Sequence, residues 1–150
     1  MRHKIRMAID QIFHDSAIAE LRLQNNKETQ TNLTYNDILY LNIIEAHSGE
    51  YTASNIADML FVSRPAVTQK INELERQGYI YKVQSKQDKR VYKLFTNKED
   101  RSKKYYEIVD QTNEDIVKKL SKHYTNEQIQ MYCDMTAEIC TVILEETKRE

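Results

Sequence analysis

Two polar clusters in this chain suit the recognition of a charged polymer, and neither holds the groups that make or break bonds. The first covers residues 63–73 and mixes Arg64, Thr68, Gln69, Lys70, Asn72 and Glu73 with the small Ala66. A guanidinium forks onto guanine edges, amides onto adenine and hydroxyls onto phosphates, while a small side chain lets a helix sit deep in a groove. The second cluster packs Lys86, Asp88, Lys89 and Arg90 into five residues. An arginine at the end of a hairpin fits a narrow minor groove, where the negative potential is strongest. Asp88 is a poor phosphate attractor, and its best use is as an acceptor that holds the Arg90 guanidinium extended. The candidate DNA-contacting residues are Thr52, Ser63, Arg64, Ala66, Thr68, Gln69, Asn72, Lys86, Asp88, Lys89 and Arg90.

Side chains of this kind need helices and a hairpin to aim them. Thr52 caps a helix with apolar positions Ile56, Ala57, Met59 and Leu60. A three-residue connection, Phe61-Val62-Ser63, leads to a second helix that ends at Gly78. Ser63 is placed to cap that helix, and Pro65 lies in its first turn, where a missing N–H costs little. Val67, Ile71 and Leu74 point inward, which leaves Arg64, Ala66, Thr68, Gln69, Lys70, Asn72 and Glu73 outward. Residues 79–84 and 91–95 alternate as strands, joined by the charged connection 85–90. Helix, short turn, helix and hairpin together predict a winged helix-turn-helix.

The flanks predict helices. Residues 2–24 place Ile5, Ala8, Ile9, Ile12, Phe13, Ala17 and Leu21 on one helical face, and a polar loop follows to Asn32. Thr34, with Asp37 three residues on, opens the most apolar helix, which carries Ile38, Leu39, Leu41, Ile43 and Ile44 and stops near Ser48-Gly49. After the hairpin, Thr96-Asn97-Lys98-Glu99 reads as a capping box for a helix facing inward with Tyr105, Ile108, Val109, Thr112, Ile116 and Leu120. A second box at Thr125 starts the last helix, with Ile129, Tyr132, Cys133, Thr136, Cys140, Ile143 and Leu144 on one face. The expected fold is mainly α, in the order α-α-α-α-β-β-α-α, as one domain over residues 1–150. Residues 34–96 form its DNA-binding part. Residues 2–33 and 97–150 supply long dimerisation helices, whose apolar stripes call for a second copy of the chain.

Composition agrees with that picture. Only two glycines and one proline occur in 150 residues, which favours helices and argues against glycine-rich phosphate loops. Net charge is −1, but residues 51–104 hold 12 Lys/Arg against 6 Asp/Glu, and the remainder holds 10 against 17. A basic segment within an acidic chain is the footprint of a nucleic-acid surface on a separate scaffold. The basic start of the chain precedes no long apolar run, so no secretory or membrane segment is expected. Two cysteines make no disulfide framework, and a cytoplasmic location is expected. No Ser-His-Asp arrangement, paired carboxylate, metal motif or phosphate loop points to an enzyme, and no cofactor is expected.

Residues 88–96 resemble the D-x-R wing signature of the MarR (multiple antibiotic resistance regulator) family, in which the arginine-bearing tip runs into an L-x-L-T strand end. Ser63-Arg64-Pro65-Ala66-Val67-Thr68 and Leu74-Glu75-Arg76-Gln77-Gly78-Tyr79-Ile80 resemble the family's recognition helix and its glycine-terminated end. Phe95 stands where the second leucine is usual, and Asn97-Lys98-Glu99 replaces a frequent glycine after the L-T pair. The resemblance implies a homodimer, held by the first and last two helices, that binds palindromic double-stranded DNA near promoters, usually as a repressor. It also implies Arg90 in the minor groove with Asp88 as its partner, and Thr68, Gln69 and Asn72 as recognition-helix contacts.

Such regulators release DNA on meeting a small aromatic or lipid-like effector, on cysteine oxidation or on binding zinc. Cys133 and Cys140 lie seven residues apart on one helix face and read as packing. His3, His14, His47 and His123 are scattered, with no paired metal spacing. A small-molecule effector is therefore the expected signal, with tyrosines such as Tyr35, Tyr40 and Tyr51 available to line its pocket. A metal- or redox-responsive regulator of the same fold, and a winged helix used only for protein interaction, remain as alternatives.

Overall fold

Most helix starts carry a side-chain cap in the computed structural model, which describes residues 1–27, 29, 33–97 and 103–148. The chain forms two compact units, Met1–Tyr106 and Glu107–Glu150. The first holds α1 (Arg2–Asn25), α2 (Tyr35–Ala46), α3 (Ala53–Leu60), α4 (Arg64–Arg76), β1 (Ile80–Gln84), β2 (Tyr92–Thr96) and the first turn of α5 (Lys103–His123). The second holds the rest of α5 and α6 (Asn126–Glu146). Thr34, Thr52 and Thr125 each close a capping box, with Asp37, Asn55 and Gln128 answering three residues on. Lys98 and Glu99, half of the box expected before α5, lie outside the described residues.

The core of the first unit joins α2, α3, α4 and the hairpin. Leu41, Ile44, Ile56, Val67, Ile71, Leu74 and Leu94 are almost wholly buried, and each such side chain stabilises the unit by about 1.5–3 kcal/mol relative to exposure. Val67, Ile71 and Leu74 are the three inward positions expected of α4. That helix ends in a Schellman motif: Gly78, at φ +85°, donates to Glu75 O at 2.9 Å, and Tyr79 N–H donates to Leu74 O at 3.0 Å. Tyr79 is buried beyond the turn and fixes where the hairpin leaves the helix.

β1 and β2 pair antiparallel, from Ile80 opposite Thr96 to Gln84 opposite Tyr92. Ile80 and Leu94 turn to the core, and Tyr81 stacks on Phe95 across the opposite face at 5.2 Å. A backbone bond from Gly49 N–H to Leu94 O (2.9 Å) and another from Leu94 N–H to Tyr51 O (3.1 Å) fasten β2 to the segment before α3. Gly49 sits at φ +78°, and a Cβ there would meet the Phe95 ring at 2.8 Å, so both conformation and space require glycine. The Thr96 hydroxyl donates to the Glu45 carboxylate and ties the strand end to α2.

At the start of α5, Tyr105 Oη donates to Glu20 Oε2 of α1 at 2.7 Å. Burial and the adjacent Glu20 carboxylate raise the Tyr105 phenol above its usual range. Burial, with Glu45 and Glu20, pushes that of Tyr106 up to about 12. Both phenols therefore remain hydrogen-bond donors at ordinary pH. In contrast to α2 and α4, α1 and α6 bury no residue. No helix among the described residues is long and apolar enough to cross a membrane.

Candidate nucleic-acid interface

The turn between α3 and α4 is made by Phe61, which caps α3 in the left-handed conformation at φ +54°. Val62 N–H returns to Ala57 O at 3.1 Å. Ser63 Oγ then accepts from Ala66 N–H at 3.4 Å and starts α4, with Pro65 in the first turn. Ser63, Arg64, Ala66, Thr68, Gln69 and Asn72 are all exposed, as the periodicity requires. Arg64 Nη2 lies 3.5 Å from Asp58 Oδ1 with both side chains about two-thirds exposed, so that pair holds the guanidinium only weakly. Thr52 differs from the other candidates. Its hydroxyl donates to Asn55 Oδ1 at 2.8 Å and accepts from Asn55 N–H at 3.2 Å, so a phosphate would have to compete with the cap.

Lys70 corrects the outward set. Its ammonium turns sideways to Asp37 Oδ1 at 2.7 Å and Glu73 Oε2 at 3.1 Å, and the side chain is only 22% exposed. Asp37 caps α2 from a buried position, where a lone carboxylate is unfavourable. Burial is the largest single effect on its pKa and raises it. The bonds from Lys70 and from the Thr34 hydroxyl and N–H together outweigh burial and hold the carboxyl below its usual range. Lys70 is raised in turn, chiefly by its bond to Asp37, against burial. The need of a buried carboxylate for a cation, 33 residues away in sequence, decides where Lys70 points.

A second pairing was equally hidden from periodicity. Lys82 of β1 donates to Asn72 Oδ1 at 2.6 Å and to Glu75 Oε2 at 2.7 Å, which joins the hairpin to the outer face of α4. The signal in the sequence is only a strand lysine ten residues beyond an asparagine.

The tip of the hairpin is a built turn. Ser85 Oγ accepts from Gln87 N–H at 3.2 Å and from Asp88 N–H at 3.5 Å, and Gln84 Nε2 donates to Lys89 O at 2.6 Å. Asp88 Oδ1 accepts from Arg90 N–H at 2.9 Å and from Nε at 3.4 Å, and Oδ2 lies 3.5 Å from Nη2. The backbone bond from Arg90, then its side chain, holds the Asp88 carboxyl below its usual range. Arg90 remains 91% exposed. The brace expected of Asp88 is present, and Lys86 and Lys89 flank it in solvent.

Other candidate sites are plainer. Cys133 and Cys140 are exposed thiols on α6. A groove of about 450 Å³ between α2 and α3 is lined by Leu39, Tyr40, Ile43, Met59 and Leu60, with Asn36, Asn42 and His47 as its polar groups. Tyr40 is thus placed as a lining tyrosine, whereas Tyr51 stacks on His47 at 4.0 Å and Tyr35 is exposed at the start of α2.

A capped helix after a three-residue turn, followed by a braced basic hairpin, defines a winged helix-turn-helix. The sequence model of the MarR family matches residues 31–91. An uncharacterised HTH-type transcriptional regulator of Bacillus subtilis (strain 168), YybA, is 28% identical over 106 residues, covering 71% of this chain and 69% of YybA. Among solved structures, Streptococcus pneumoniae FabT in complex with DNA matches with a TM-score of 0.67 and 23% identity, over 99% of this chain and all of FabT. A MepR mutant from a multidrug-resistant S. aureus isolate matches with a TM-score of 0.65 and 21% identity, over 91% of this chain and 96% of MepR. At these identities the structural likeness speaks to the fold alone, and it is the fold expected from the sequence.

Proposed function

We propose that the chain is a homodimeric transcription regulator that binds a palindromic double-stranded DNA operator and represses nearby genes. The observation that carries this reading is Arg90, fully presented yet braced by Asp88, beyond a capped helix with an exposed polar face. A braced arginine loses little side-chain freedom on entering a minor groove, which is where a wing can place it. Thr68, Gln69 and Asn72, with Arg64 and Ala66, read the major groove from α4. Ser63, Lys86 and Lys89 contact phosphates. The DNA complex of FabT supports the same use of the fold.

Dimerisation falls to residues 2–33 and 97–150. Ile12, Phe13 and Leu21 of α1, and Met131, Met135 and Leu144 of α6, are each more than half exposed, and large apolar side chains repeated along a helix call for a partner. The groove beside Tyr40 offers an apolar site for a small aromatic or lipid-like effector that relieves repression. The family is one of regulators rather than enzymes.

Fluorescence anisotropy with DNA from upstream of the protein's own reading frame tests this reading. The expected result is tight binding of one fragment that survives excess non-specific competitor. Equal binding to scrambled DNA at every salt concentration would overturn it.

A further inference from the structure

We propose that Lys82, a strand residue outside the recognition helix, determines which base edges Asn72 reads. The inference rests on the DNA-reading role given above to Asn72. Lys82 Nζ lies 2.6 Å from Asn72 Oδ1 and 2.7 Å from Glu75 Oε2. An ammonium has three donors and no acceptor, so only the amide oxygen can face it. Glu75 holds the ammonium from its other side, and the Lys82 side chain is only 21% exposed. Asn72, by contrast, is exposed on α4, with both NH₂ donors left to meet a partner and one of the two lone pairs of its oxygen taken by Lys82.

That lock changes what an asparagine can recognise. A freely turning amide forks onto adenine, accepting from N6 and donating to N7. With the Asn72 oxygen already accepting from the Lys82 ammonium, the adenine N6 donor would have to share that oxygen with a second donor, and so would cytosine N4. Guanine N7 and O6, or thymine O4, would instead meet the two free amide donors. Lys82 thereby biases the contacted position toward guanine or thymine without touching DNA itself.

The test is selection of binding sites from a randomised DNA pool by the full-length protein and three variants, with thermal melting to confirm that each is folded. Asn72→Ala identifies the position, because base preference should vanish there and at its two-fold mate. At that position the unaltered protein should favour guanine or thymine over adenine by about tenfold, the scale of one well-made base contact. Lys82→Met should bring adenine within about threefold of the favoured base while leaving other positions unchanged, since a freed amide can fork onto adenine. Lys82→Arg should keep the original preference, because a guanidinium also only donates. An unchanged preference in Lys82→Met would overturn the lock while leaving Asn72 as a base reader. No change in Asn72→Ala would remove Asn72 as a reader and the lock with it. Equal loss of preference at all positions in both Lys82 variants would mark Lys82 as structural only, which also overturns the proposal.

Discussion

Arg90 and Gln69 are exposed side chains in elements of very different kind, and their removal should have different signatures. Arg90→Ala should weaken binding to all operator variants alike and lower the slope of log affinity against log salt by about 1, as expected when one cation leaves a DNA contact. Gln69→Ala should instead relax the preference at one base position, by about 1–3 kcal/mol. Titrations of an operator series at several salt concentrations separate the two. Lys70 belongs to folding. Asp37, with a depressed pKa, contributes stability above its unfolded value near 3.8 and loses it as pH falls through the lower folded value. Lys70, with a raised pKa, contributes at every pH below its unfolded value near 10.5 and loses that only on strong alkalisation. The pair is therefore intact at neutral pH. Asp37→Asn should cost about 1–3 kcal/mol at pH 7, and that deficit should shrink at about pH 3. Urea unfolding at the two pH values checks this, and an equal deficit at both would contradict it. The Ser63 cap and the exposure of Asn72 and Arg90 could be read in the sequence because they follow from position within one element. The directions of Lys70 and Lys82 could not, because their partners sit on other elements.

At the scale of elements, two turns decide where α4 and the hairpin point. Gly49→Ala combines a strained left-handed conformation with a clash against Phe95, and it should destabilise by about 1–3 kcal/mol. Phe61 is the opposite case: a bulky residue in the left-handed region whose ring is 68% exposed. Phe61→Gly should raise stability by up to about 1 kcal/mol, since the strain relieved exceeds the little burial lost. Chemical denaturation of the two variants should move the midpoint in opposite directions, and a shift in the same direction would refute this account of the turns. The helices themselves were legible because caps and periodicity are local signals. Thr34, Thr52, Ser63 and Thr125 all act as written. Each strand begins one residue later than alternation suggests. Tyr79 gives its N–H to the Schellman turn while its carbonyl accepts from Asn97 N–H at 2.8 Å, and Val91 N–H bonds to Asp88 O in the tip.

The whole molecule turns on its exposed helices. A palindromic site needs two recognition helices at a fixed spacing, so DNA reading and dimerisation should fail together. Phe13→Glu on α1 and Met135→Glu on α6 place charges on side chains that are 56% and 51% exposed in the single chain. Either should leave the first unit's core folded, shift sedimentation toward a monomer and reduce operator affinity by about a hundredfold or more, as loss of the second half-site implies. The sequence could state that α1 and α6 have apolar stripes. A stripe by itself records only that water is excluded, and the second copy of the chain expected as its partner is the dimer proposed above. The central claim is that α4 and the wing of two copies read one operator, and hydroxyl-radical footprinting of the selected site tests it most directly. The account predicts two-fold-related backbone protections on either side of successive major grooves, flanked by minor-groove protection that disappears in Arg90→Ala while the central pattern stays. A single unpaired protected patch, or flanking protection that persists in Arg90→Ala, would contradict it.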